Sequence, residues 1–123
     1  MDLLSSLHTS LGWAVMIVGG LAGAWATAAH WYEPLRIAPM WWAHHVFHAL
    51  VAIQVTFGAV LVGVGGREAD GNHIFYGFLT FVGVGLIIGY RHLSEYRYLL
   101  YGLGGLFVMG LAIRAFTLPA IPT

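Results

Sequence analysis

Imidazole is the chemistry this chain has in excess, with seven histidines in 123 residues. Three fall in the stretch Trp41-Trp42-Ala43-His44-His45-Val46-Phe47-His48, which opens a long apolar run ending near Gly66. His44 and His48 are four apart and share a helix face, while His45 points elsewhere. His8, His30, His73 and His92 stand at the ends of other apolar runs. Neutral imidazole is the usual axial ligand of b-type haem. An i, i+4 histidine pair is also half of a copper or zinc site, which His45 or His92 would complete. The same geometry suits the magnesium of a chlorin pigment.

Other chemistries fail on residue type or placement. The acids Asp2, Glu33, Glu68, Asp70 and Glu95 all fall in predicted loops or at the terminus, so no carboxylate proton relay crosses a span. No phosphate-binding glycine loop, nucleophile–base pair or His-Glu-x-x-His motif is present. Cysteine is absent, which excludes disulfides, zinc–thiolate sites, iron–sulfur clusters and thiolate-ligated haem on this chain. Lysine is absent and net charge is zero, so nothing points to nucleic acid. No filter loop or intramembrane charge suggests an ion channel.

The elements that must position the histidines follow from hydropathy. The hydrophobic fraction is 59%, mean hydropathy is +0.80 and only 8% of residues are charged, against about 25% in soluble domains. A small soluble core cannot absorb that much apolar surface. The expected fold is all-α: a four-helix transmembrane bundle in up-down-up-down order, with both termini on one side. The spans are predicted at about 11–29, 43–64, 73–90 and 98–113, in one domain covering 1–123. The N-terminus lacks the positive region of a cleaved signal peptide, so the first run reads as a retained span.

Residues 31–42 are expected to form an interfacial connection. Pro34 and Pro39 break helix there, and Trp31, Tyr32, Trp41 and Trp42 fit an aromatic belt. Gln54 is the one amide inside a predicted span and can hydrogen-bond across helices. Side A then holds His8, Arg67, His73 and Arg114. Side B holds His30, Arg36, His44, His45, His48, Arg91, His92 and Arg97. Side B carries one arginine more, which by the positive-inside rule sets it in the cytoplasm and the termini outside.

His48 lies about 8 Å inside its predicted span by rise per residue. Glycines on the other spans (Gly23, Gly85 or Gly89, Gly104 or Gly105) would leave room beside it for a flat macrocycle. A bis-histidine site there would pair His48 with His92, or with His30, and Arg91 or Arg97 would neutralise the haem propionates. A second site on side A would pair His8 with His73. Each feature also has a plainer reading, because histidines are readily solvated at a membrane interface and glycines let helices pack without any cofactor. Met40 and Met109 are too scattered to suggest a soft copper(I) path.

Four short spans with histidines at their ends resemble the small four-helix b-type cytochromes of bacterial membranes. These include the dihaem quinone- or ascorbate-linked cytochromes and the haem-binding halves of haem A synthase. The resemblance covers the first three spans and rests on His8, His30, His48, His73 and His92. Unlike haem A synthase, this chain has no glutamate within a span. The stretch His48 to Gly66, with Arg67 to His73 and Tyr76-Gly77, also looks like small four-span bacterial proteins to which no activity attaches. The resemblance implies one or two b haems, a quinone or redox-protein partner and a bacterial inner membrane. The competing expectation is a cofactor-free accessory subunit of a larger respiratory or photosynthetic complex, or a homo-oligomer, with the glycine faces serving helix contact.

Overall fold

The structure is a computed structural model that describes residues 2–66, 68–92 and 94–117. Arg67 and the Pro119/Pro122 tail lie outside the described residues. Among the described residues, all regular structure is helical: α1 (Asp2–Ala29), α2 (Ala38–Gly63), α3 (Gly71–Gly89) and α4 (Arg97–Phe116), with short 3₁₀ turns at Glu33–Leu35 and Ser94–Tyr96. All four helices are long and apolar enough to cross a membrane. Each carries large apolar side chains on its outer face, among them Leu21, Trp42, Phe78 and Phe107.

Two helices begin earlier than hydropathy alone predicts. α1 starts at Asp2 rather than near residue 11, because Ser5, Ser6, Thr9 and Ser10 weaken the hydropathy of this stretch without opposing helix. His8 therefore lies about 9 Å inside the helix rather than before it. α2 starts at Ala38, so Pro39 opens the helix instead of breaking it. A proline in the first turn gives up an N–H that has no intrahelical partner anyway. The extra turn places Met40 in the helix, one turn before His44. It also sets His48 about 15 Å from the helix start.

Contacts fix the direction of each helix. Gly19 of α1 meets Phe47 of α2, while His8 near the start of α1 meets Gln54 and Gly58 later in α2. α1 and α2 therefore run antiparallel. α1 and α4 do so as well: Gly12 lies by Phe116, Gly20 by Met109, and Gly23 by Leu106 and the Gly102 carbonyl. α3 is antiparallel to α4, with Gly83 against Val108 and Ile87 over Gly104. Among neighbouring helices, the α2–α3 seam is the least packed.

The closest approach is between α1 and α4. A Cβ at Gly102 would collide with the backbone and hydroxyl of Thr27, so no larger residue fits without moving a helix. Gly23 and Gly105 meet one turn along, in the manner of small-residue helix contacts.

The first connection is fastened by side chains. Arg36 donates from Nε to the Ala29 carbonyl (2.7 Å) and from a terminal nitrogen to the His30 carbonyl (2.8 Å). These are carbonyls that the end of a helix leaves without partners. Trp25 donates to the Leu35 carbonyl at 2.9 Å. Arg36 also lies over the Tyr98 ring, 4.6 Å from its centre, which ties the connection to α4. At the second connection Gly66 adopts φ +65°, a region glycine enters without steric cost. The Asp70 carboxylate then caps α3 by accepting from the Asn72 N–H at 2.8 Å.

Candidate functional site

Six of the seven histidines sort into three environments. The first is at the end where α1 and α4 meet α3. His8 and His73 face one another there, with ring centres 6.3 Å apart and planes at 71°. Each is held from behind. His8 Nδ1 donates to the Gln54 carbonyl of α2 (3.2 Å) and His73 Nδ1 to the Ala115 carbonyl of α4 (2.6 Å). A carbonyl accepts only, so Nδ1 carries the proton in both neutral rings and Nε2 keeps its lone pair. Gly58 makes this possible, since a Cβ there would stand 3.0 Å from His8 Cε1. The Gln54 side-chain oxygen is buried in the same region with no hydrogen-bond partner. Arg114 lies at this end too, over the Tyr76 ring at 5.7 Å.

The second environment is the interior stripe of α2. His44 is fully buried and His48 is 7% exposed. Their ring centres are 6.2 Å apart. Tyr101 of α4 lies against both, at 5.4 Å from His44 and 5.7 Å from His48. Trp41 closes the cluster, 5.0 Å from Tyr101 and 6.2 Å from His44. The His44 ring lies near the Ala22 carbonyl of α1, but neither of its nitrogens completes a hydrogen bond in geometry, and Nε2 of His48 has no partner. Leaving such groups unpaired in an apolar interior costs about 1–3 kcal/mol each. Of the glycines expected beside His48, Gly23 and Gly105 do converge on this cluster, at His44. Gly85 and Gly89 have no neighbour for an added Cβ to meet, and Gly104 is covered by Ile87.

The third environment is a cleft of about 550 Å³ bordered by Trp41, His45, Arg91, His92, Arg97 and Tyr101. His45 and His92 are both exposed. Arg97 stacks on Trp41 at 4.8 Å. Among the described residues the ion pair is Arg36 with Glu33, and Arg91 and Arg97 border the cleft with no carboxylate partner there.

The sequence-predicted residues are thus redistributed. His8 and His73 come together. His48 and His92 do not: His92 stacks on Tyr90 and contacts the Gly89 carbonyl, while His48 packs against His44, Phe47 and Tyr101. His30 is half-buried and its ring meets Trp31 rather than His48. His45 turns outward against Trp42 and does not join His44 and His48. Among the described residues, no group of three or more histidine, aspartate or glutamate side chains converges as a metal site. Tyr101, which joins the buried pair to the cleft, was missed in the sequence, where nothing distinguishes it from the interfacial tyrosines around it.

The donor set at the first site is two imidazoles. Two imidazoles leave a bare zinc or copper(II) ion short of the four ligands it takes. A tetrapyrrole brings four nitrogens of its own and asks the protein for two axial ones. With each ring nitrogen about 1 Å from its ring centre, 6.3 Å between centres leaves space for two metal–nitrogen bonds of about 2 Å. Compared with known proteins, the chain matches no family model, no curated protein and no solved structure.

Proposed function

We propose that this chain is an integral membrane protein that binds haem b for electron transfer, with His8 and His73 as axial ligands. The observation that carries this reading is the pair's arrangement. Two histidines from different helices face each other, each with Nδ1 bonded to a backbone carbonyl and Nε2 left as the free base. Ligand histidines are held in this way by their outer partners. The Gln54 and Ala115 carbonyls fix the ring orientations. Arg114 is the described guanidinium at this end suited to a propionate. Haem supplies a one-electron couple whose potential the axial ligands and their hydrogen bonds set.

The bundle would lie up-down-up-down in a bacterial inner membrane, with both ends of the chain on the outer face and a quinone or redox protein as exchange partner. The cleft supports a second haem at the other end, where His45 and His92 offer imidazoles and Arg91 and Arg97 offer unpaired charge. A different reading, an accessory subunit of a larger complex, is favoured by Gly77, Gly85 and Gly89 of α3, which leave open surface for another helix.

The test is an absorbance spectrum of the detergent-purified protein, oxidised and then dithionite-reduced. A Soret band that sharpens into split α and β bands on reduction is expected, as is its loss in His8→Ala and His73→Ala. A protein that purifies colourless from haem-replete cells would overturn the reading in favour of the accessory subunit.

A further inference from the structure

The haem reading leaves the most unusual feature of the interior unused: two buried histidines with three unpartnered nitrogens. We propose that His44 and His48 hold a single copper(I) ion, with the Met40 thioether as a third, weaker donor.

Coordination number comes first. No third histidine or carboxylate converges on the pair among the described residues, which rules against zinc and its tetrahedral demand. Copper(I) has a closed d shell and is satisfied by two nearly linear imidazole nitrogens. Ring centres 6.2 Å apart leave space for two metal–nitrogen bonds of about 2 Å. His44 has an unpartnered nitrogen in either tautomer, and the buried Nε2 of His48 is unpartnered too.

Donor softness agrees. Because α2 begins at Ala38, Met40, His44 and His48 form one i, i+4, i+8 stripe, and all three are buried. Thioether and imidazole together favour copper(I) over magnesium, calcium or manganese. Charge agrees as well. A monovalent ion on neutral ligands brings one positive charge into the interior, half that of a divalent ion. The rings of Trp41 and Tyr101 pack beside the histidines. Trp41 and Tyr101 also border the cleft, which gives an entry path from the surface.

The site is independent of His8 and His73, so the two proposals fail separately. The experiment titrates the purified protein anaerobically with copper(I) against a chromophoric chelator, followed by X-ray absorption of the loaded protein. One tightly held equivalent is expected, with a first shell of two nitrogens and a longer sulfur contribution. His44→Leu and His48→Leu should each weaken binding by more than the roughly 10–100-fold that loss of an outer-shell partner costs. Met40→Leu should remove the sulfur contribution and leave the nitrogens. Thr56→Ala, on the exposed face of α2, should bind as the parent does. Failure of the parent protein to compete with the chelator would overturn the proposal. So would copper retained in His44→Leu, or an all-oxygen first shell. The first and third of these outcomes are read on the parent protein and do not depend on any variant's folding.

Discussion

Two histidine pairs in this molecule have nearly the same ring separation, 6.3 Å for His8 with His73 and 6.2 Å for His44 with His48. Their surroundings are opposite. The first pair spans two helices, and a third and a fourth supply the carbonyls that orient it. The second sits on one helix and has no hydrogen bonds at its buried nitrogens. A pair between helices exists only once the bundle is assembled, so its geometry is a product of the fold. A pair at i, i+4 exists as soon as the helix does, and the fold decides only what surrounds it. The first pair is therefore pre-oriented and the second under-satisfied, and substitution should affect them in opposite ways.

The largest expected effect is spectral. His73→Ala should abolish the Soret band completely while His44→Leu leaves it at parental intensity. The comparison breaks if both variants are colourless or both remain red. Next in size are two glycine substitutions placed at the two pairs. Gly19→Ala puts a Cβ 2.6 Å from Phe47, beside His48, and should cost about 1–3 kcal/mol of stability with the Soret band unmoved. Gly58→Ala presses on His8 at 3.0 Å. It should shift the Soret and α bands and lower haem occupancy at a smaller stability cost. Thermal unfolding in detergent, followed by circular dichroism and absorbance together, separates the two.

A smaller effect has the opposite sign. In metal-free protein, His44→Leu replaces an unsatisfied polar ring by an apolar one and should stabilise by about 1 kcal/mol. His73→Leu gives up a hydrogen bond and should destabilise by about the same amount. Equal destabilisation by both would show that His44 has a partner after all. The smallest effect is expected at Gln54. Gln54→Leu removes the unpartnered side-chain oxygen but keeps the backbone carbonyl that holds His8, so its spectrum should match the parent's and its stability should change by under about 0.5 kcal/mol.

The four helices were legible in the sequence because apolar runs of this length have few other destinies. Their starts were not. Hydropathy falls where Ser5, Ser6, Thr9 and Ser10 cluster, although short hydroxyl side chains are tolerated within a helix. Pro39 reads as a breaker unless the helix is known to begin one residue before it. Those two shifts matter for chemistry, since one moves His8 inside α1 and the other aligns Met40 with His44 and His48. The pairing of His8 with His73 followed from both lying at one end of the bundle. That of His48 with His92 rested on end assignment too, but His92 lies past the end of α3, exposed and stacked on Tyr90. Which carbonyls would orient each ring was invisible, because Gln54 and Ala115 act through their backbone, where residue type leaves no mark.

The thinly packed seam between α2 and α3 has a kinetic consequence. Separating two elements costs least where they share the fewest contacts, so this side is where the bundle breathes. α1 and α4 are locked by Thr27 against Gly102, and α2 and α3 are each packed against that pair rather than against one another. If the proposed haem enters from a bilayer, the α2–α3 seam is the edge that would have to part to admit it. The rate at which the protein fills would then be set by that opening rather than by diffusion through water.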